Sequence, residues 1–181
     1  TLFRSRDIER TGDIRSYKKD LVDLYVNRDQ HSFSTQVTDL DNIQNPSIHS
    51  LLSSKYHEAQ MHRLNIHAEI PDPVIHNYLT DLDLAVVLGH LMDNAIDGAR
   101  KASEGFISLA YFDEEDCQSF IIESTIAEEQ VPLSMMSTQL SHPEGGIGVN
   151  AVQDILERYP NTSFSVRSQN HKMMQILEMR P

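Results

Sequence analysis

The stretch Leu88-Gly89-His90-Leu91-Met92-Asp93-Asn94-Ala95-Ile96-Asp97-Gly98-Ala99 decides how this 181-residue chain is read. It lies inside the best helical pattern of the sequence, 79–102, where Leu84, Val87, Leu88, Leu91, Ala95 and Ile96 share one face. Ser103-Glu104-Gly105 stops the pattern. His90, Asn94 and Asp97 stand at i, i+4 and i+7, on one side of the same helix. Asn94 is set among Leu91, Ala95 and Ile96, where an amide left without a partner costs about 1–3 kcal/mol. It is therefore either a satisfied core amide or a ligand group, and its oxygen is the hard donor that Mg²⁺ takes beside phosphate and water.

Working outward, the C-terminal side mixes strands and helices. The segments 106–112 and 119–125 read as paired strands around the acidic turn 113–116. The polar, aperiodic segment 127–144 reads as a long loop, a length usual for lids and binding segments. Next comes Gly145-Gly146-Ile147-Gly148-Val149-Asn150, which opens a helix over 146–159 closed by Pro160-Asn161. Three of the seven glycines of the chain fall in this one place. Glycines let a ligand approach the backbone, and the free N–H groups of a first helical turn favour an anion. No Lys-Ser/Thr follows, so this is not a P-loop, and no βαβ unit frames it as a dinucleotide fingerprint. The segments 163–168 and 173–179 form a closing hairpin, and 66–70 alternates as a strand ended by Pro71-Asp72-Pro73. The order of elements predicts an α+β two-layer sandwich over 66–181.

Residues 1–65 read differently, with one glycine, one proline and no strand. Ile14, Tyr17, Leu21 and Leu24 make a heptad-like seam. Ile48, Leu52, Lys55 or Tyr56, and Ala59 make a second narrow stripe. Two such helices bury little alone, so they either pack on the next domain or form half of a dimeric four-helix bundle. The second arrangement is the expected one, with a boundary at 65/66.

Composition narrows the function classes. Lys and Arg total 15 against 27 Asp and Glu, a formal net charge of −12 that repels nucleic-acid backbones. The longest apolar run, 84–88, is far too short to cross a bilayer. The single cysteine, Cys117, can form no internal disulfide, which suits a reducing cytoplasm.

Taken together, 88–99 and 145–159 resemble the N box and the second glycine box of the ATP-binding fold shared by gyrase, Hsp90, histidine kinases and MutL, the GHKL or Bergerat fold. The nearest resemblance is to the histidine-kinase branch of peptide quorum-sensing receptors. There a helical hairpin for dimerisation and phosphotransfer precedes a short catalytic domain, and Asn45-Pro-x-Ile-x-x-Leu-Leu-x-x-Lys55-x-x-x-Ala59 is similar to the end of its second helix. The resemblance implies Mg²⁺ and ATP as ligands, with Asn94 holding Mg²⁺ and Gly146 and Gly148 cradling phosphates. Asp97 would order water or the outer shell of the metal. His90 stands where relatives often carry asparagine, and imidazole is a poorer Mg²⁺ ligand. The first glycine box has no equivalent between Phe120 and Pro132. Glu123 either accepts the adenine amino group there or faces solvent.

Other departures bear on catalysis. Ile14-Arg-Ser-Tyr-Lys-Lys19-Asp-Leu21 puts Lys19 where the family carries its phosphoacceptor histidine, and an ammonium is no nucleophile at pH 7. His57, beside Glu58, is a minor candidate acceptor on the wrong helix. Gln139 stands where relatives carry a phosphate-facing lysine, and Glu144 adds a negative charge beside the glycines. The expectation is the cytoplasmic transmitter of a two-component sensor kinase, homodimeric through its hairpin and signalling to a response regulator. Any membrane attachment would come from segments beyond this sequence. The alternative is a degenerate pseudokinase, a nucleotide-sensing or dimerising module without phosphotransfer. A serine-directed anti-sigma kinase of the same fold is a third reading.

Overall fold

The computed structural model describes residues 39–114, 116–131 and 149–181. A short 3-10 turn, Asp39–Asn42, leads into helix α1, Pro46–Met61. Strand β1 (Asn65–Glu69), helix α2 (Asp81–Lys101) and strands β2 (Phe106–Glu114) and β3 (Cys117–Thr125) follow. Helix α3 (Val149–Leu156) and strands β4 (Thr162–Gln169) and β5 (Lys172–Met179) complete the chain. The strands form one sheet in the order β1-β2-β3-β5-β4. Only β1 and β2 run parallel, and α2 is the crossover that such a pair requires.

One face of this sheet carries the helices. Leu109 and Tyr111 of β2, Phe120 and Ile122 of β3, and Leu177 and Met179 of β5 share a core with Leu88 and Leu91 of α2. Val152 and Ile155 of α3 join the same core. The mixed α+β two-layer architecture expected from the sequence is thus present.

Helix α1 differs from expectation in where it belongs. Its stripe of Ile48, Leu52, Tyr56 and Ala59 is buried in the core of the sheet domain. The Tyr56 hydroxyl donates to the Ile66 carbonyl at 3.1 Å, fastening α1 to β1. Asn45 caps α1, accepting from the amides of Ser47 and Ile48, and its own amide donates to Asp81 at the start of α2 at 2.8 Å. Lys55 bridges α1 to Asp93 of α2 at 2.5 Å and to Glu58 at 2.8 Å. Burial pushes the Lys55 ammonium pKa down, but the two carboxylates outweigh it and leave the pKa raised. The expected boundary at 65/66 therefore runs through a single core, which lies within one compact unit, Val37–Pro181. A narrow apolar stripe says that a helix needs a partner, and here the partner is α2 rather than a second copy. The seam at Ile14–Leu24 and Lys19 lie outside the described residues.

The hairpins follow their local chemistry. Asn170 and His171 both have positive φ, 54° and 59°, as a two-residue turn between twisted strands demands. That turn also holds the chain leaving β3. The Ile126 amide donates to the His171 carbonyl at 2.8 Å, and the His171 amide donates to the Glu129 carbonyl at 3.0 Å.

Candidate functional site

Helix α2 packs on the sheet and comes close to the end of β3 at Gly98. Thr80 caps it, accepting from the Asp83 amide at 3.3 Å, and Asp81 and Asp83 in the first turn and Arg100 and Lys101 in the last suit its dipole. Asn94 is half-buried, and its Nδ2 lies 3.5 Å from Gln175 Oε1 on β5. Gln175 is fully buried, and its Nε2 donates to the Leu91 carbonyl of α2 at 3.1 Å. Asp97, one turn beyond Asp93, is half-buried and lies 3.8 Å from Arg100. His90 is half-buried on the same helix, one turn before Asn94.

Parity along β3 then sorts the polar residues near the strand end. Phe120 and Ile122 enter the helix-covered core, so Ser124 continues that row and Glu123 stands on the opposite face. Glu123 is buried there and ion-paired with Lys172 of β5 at 2.9 Å. It is neither solvent-facing nor turned toward α2. The Ser124 hydroxyl, by contrast, faces α2 and is fully buried without a hydrogen-bond partner among the described residues. Helix and strand come close at this point. A Cβ on Gly98 would lie 3.1 Å from Ile126 Cγ2 and 3.9 Å from Ser124 Oγ. A side chain here would require the Ile126 side chain to give by a few tenths of an ångström. Asn94, Gln175 and Ser124 are thus brought to one side of the sheet, and Glu123 is not among them. Gly146 and Gly148 lie outside the described residues.

Helix α3, which follows the glycine cluster, is tied to the start of α2. Asp83 is buried and accepts from Tyr159 Oη at 2.6 Å and from Arg158 at 2.7 Å. The Tyr159 hydroxyl also accepts from the Thr80 amide at 3.2 Å. Hydrogen bonds from Tyr159, Thr80 and Arg158 hold the Asp83 carboxyl below the usual carboxylate range, against the opposing effect of burial. A depressed carboxylate stabilises the fold above its unfolded pKa of about 3.9 and loses that contribution as pH falls further. Asp83→Asn should therefore cost about 1–3 kcal/mol in urea unfolding at pH 7. The gap from wild type should persist at pH 5 and narrow below about pH 3.9.

The donor set suits a metal that arrives with its own oxygens. No group of three or more His, Cys, Asp or Glu able to hold a metal occurs among the described residues. One amide oxygen, with Asp97 nearby on the helix, matches Mg²⁺, which keeps several waters and takes phosphate oxygens. A donor set of this kind is one that ion can use.

A family model described as GHKL domain matches residues 79–180, which covers α2 through β5. The chain belongs to the GHKL domain family. Among solved structures, the GHKL fold of this chain is similar to the nucleotide-free catalytic domain of histidine kinase ThkA, at 14% identity and a TM-score of 0.58, over 75% of this chain and 90% of that one. Histidine kinase AdeS of Acinetobacter baumannii is similar at 17% identity and a TM-score of 0.55, covering 74% of this chain and 62% of that one. The mycobacterial sensor histidine kinase MprB is similar at 12% identity and a TM-score of 0.54, covering 74% and 93%. At these identities the likeness is one of fold. No curated protein matches the chain. No helix among the described residues is long and apolar enough to cross a membrane.

Two residues of this arrangement escaped the sequence reading. Gln175 and Ser124 are polar residues on the inward parity of apolar strands, a signal visible once the parity of β3 and β5 is known.

Proposed function

We propose that this GHKL domain binds Mg²⁺-ATP and serves as the catalytic part of a sensor histidine kinase transmitter. The observation that carries the reading is a half-buried Asn94 on α2 and a buried Ser124 hydroxyl without a hydrogen-bond partner among the described residues, both on the helix-covered side of the sheet of a GHKL domain. Asn94 would hold the metal, which neutralises phosphate charge when bound. Asp97 would order water in the outer shell, and His90 would be at most a weak ligand. Backbone amides at Gly146 and Gly148 would meet the phosphates. At the base end, Ser124 takes the role expected of Glu123, because Glu123 is on the other face and already paired with Lys172. A hydroxyl both donates and accepts, so it can meet a purine edge. Phosphoryl transfer would then rest on positioning and charge neutralisation. A homodimer formed through residues before Val37 and a response regulator as receiver complete the proposal.

Calorimetry with Mg²⁺-ATP tests it. Saturable heat is expected, and no binding with or without Mg²⁺ would overturn the reading. Ser124→Ala adds a second arm with opposed readouts. Removing an unsatisfied buried hydroxyl should leave the free protein as stable or more so, while ATP affinity falls several-fold.

Lys19 favours a second reading, in which the domain binds nucleotide but passes no phosphoryl group, a pseudokinase that senses or dimerises. Incubation with labelled ATP followed by mass mapping separates the two. Phosphate on a histidine decides for the kinase, and binding without transfer decides for the pseudokinase.

A further inference from the structure

A side-chain amide has two ends of opposite character, and near Asn94 a backbone carbonyl settles which end points where. The Leu91 carbonyl can only accept, so the Gln175 group 3.1 Å from it must be Nε2. The other end of that amide, Oε1, can likewise only accept. Across it, 3.5 Å away, the nearer atom of Asn94 is then Nδ2, which leaves Asn94 Oδ1 as the end turned away from Gln175. Gln175 has little freedom to reverse this, because it is fully buried in β5 beside Ile122 of β3.

We propose that Gln175 is a positioning residue that sets the amide of Asn94 so that its oxygen, not its nitrogen, is offered to a divalent cation. The inference rests on the Mg²⁺-ATP reading and adds to it the residue that makes the metal ligand competent. Turned the other way, Asn94 would present an –NH₂ group, which repels a cation. Supporting groups of this kind act on the metal through the ligand they orient, and their loss commonly costs about 10- to 100-fold in metal affinity. Gln175 touches neither cation nor nucleotide.

The readout is the ratio of ATP affinity with Mg²⁺ to that with EDTA, measured by calorimetry on the whole chain. Gln175→Met keeps length and burial but removes the acceptor, and should lower the ratio about 10-fold while leaving metal-free ATP binding unchanged. Gln175→Glu, which as the protonated acid can still donate to the Leu91 carbonyl, keeps an acceptor facing Asn94 and should retain most of the ratio. In the double variant with Asn94→Ala, the Gln175→Met change should have no further effect on the ratio, because it acts through Asn94. An unchanged ratio in Gln175→Met, or equal loss in the Met and Glu variants, would overturn the proposal. Should either variant fail to fold, NMR of the wild type decides. Nuclear Overhauser contacts from the Asn94 side-chain NH₂ protons to the Gln175 side chain are expected, and a reversed amide without them would refute it. Absence of ATP binding in any form sinks the functional reading and the positioning role together, whereas Mg²⁺-dependent binding indifferent to Gln175 sinks only the latter.

Discussion

Asn94→Ala should lose at least about 10-fold in affinity for Mg²⁺-ATP and far less for ATP alone. The asymmetry is the informative part. Asn94 is half-buried, and its only described partner is a long 3.5 Å contact to Gln175, so truncation removes little that holds the fold together. Gln175 keeps its stronger bond to the Leu91 carbonyl, and only its Oε1 is left to find water. What disappears is the hard oxygen that Asn94 turns away from Gln175. Thermal unfolding of the free variant should therefore stay close to wild type while calorimetry with Mg²⁺ and ATP changes. Equal loss of affinity with and without Mg²⁺ would show that Asn94 meets the nucleotide rather than the metal.

Leu52→Ala should cost about 2–5 kcal/mol in denaturant unfolding. Leu52 has no solvent exposure, and it is packed with Ile48, Tyr56 and Ala59 into the core shared by α2 and the sheet. A cavity at this point cannot collapse easily, because α1 is fixed at both ends of its contact. Asn45 bonds Asp81 at one end, and Tyr56 bonds Ile66 farther along. The loss should appear in a single cooperative transition followed by any probe of the sheet. Were α1 part of a separate hairpin, the sheet signal would survive the substitution, and only dimerisation would respond.

Much of this fold was legible because burial here is periodic. The apolar row of α2 recurs at helical spacing, and observed bounds of 81–101 sit inside the expected 79–102. The hairpins 106–125 and 162–179 announced themselves through turn residues, including the Asn170-His171 pair. The placement of α1 was not legible, since a stripe of Ile48, Leu52, Tyr56 and Ala59 records how much apolar surface a helix offers and not what covers it. At the site, the spacing within α2 singles out Asn94, and the structure sets its side chain beside Gln175 of β5. Glu123 was harder, because every residue of β3 is buried and alternation cannot then distinguish the two faces from sequence. The register with β2 and β5 resolves it, giving Ser124 and Gln175 to the side of α2 and leaving Glu123 to Lys172.

The parallel pairing of β1 with β2 makes α2 a connector as well as a functional helix. Such a crossover cannot be completed until strands on either side of it have met, an ordering that low-contact-order folds avoid. Asn94 and Gln175 lie 81 residues apart, so their contact exists only in a chain whose long-range contacts are made. A ligand bound there would find no foothold on partly folded forms. Its whole binding energy would go to the finished domain, about 2.7 kcal/mol at a concentration 100 times Kd. On the proposed Mg²⁺-ATP reading, nucleotide supply would in that way act on how much of the domain is folded.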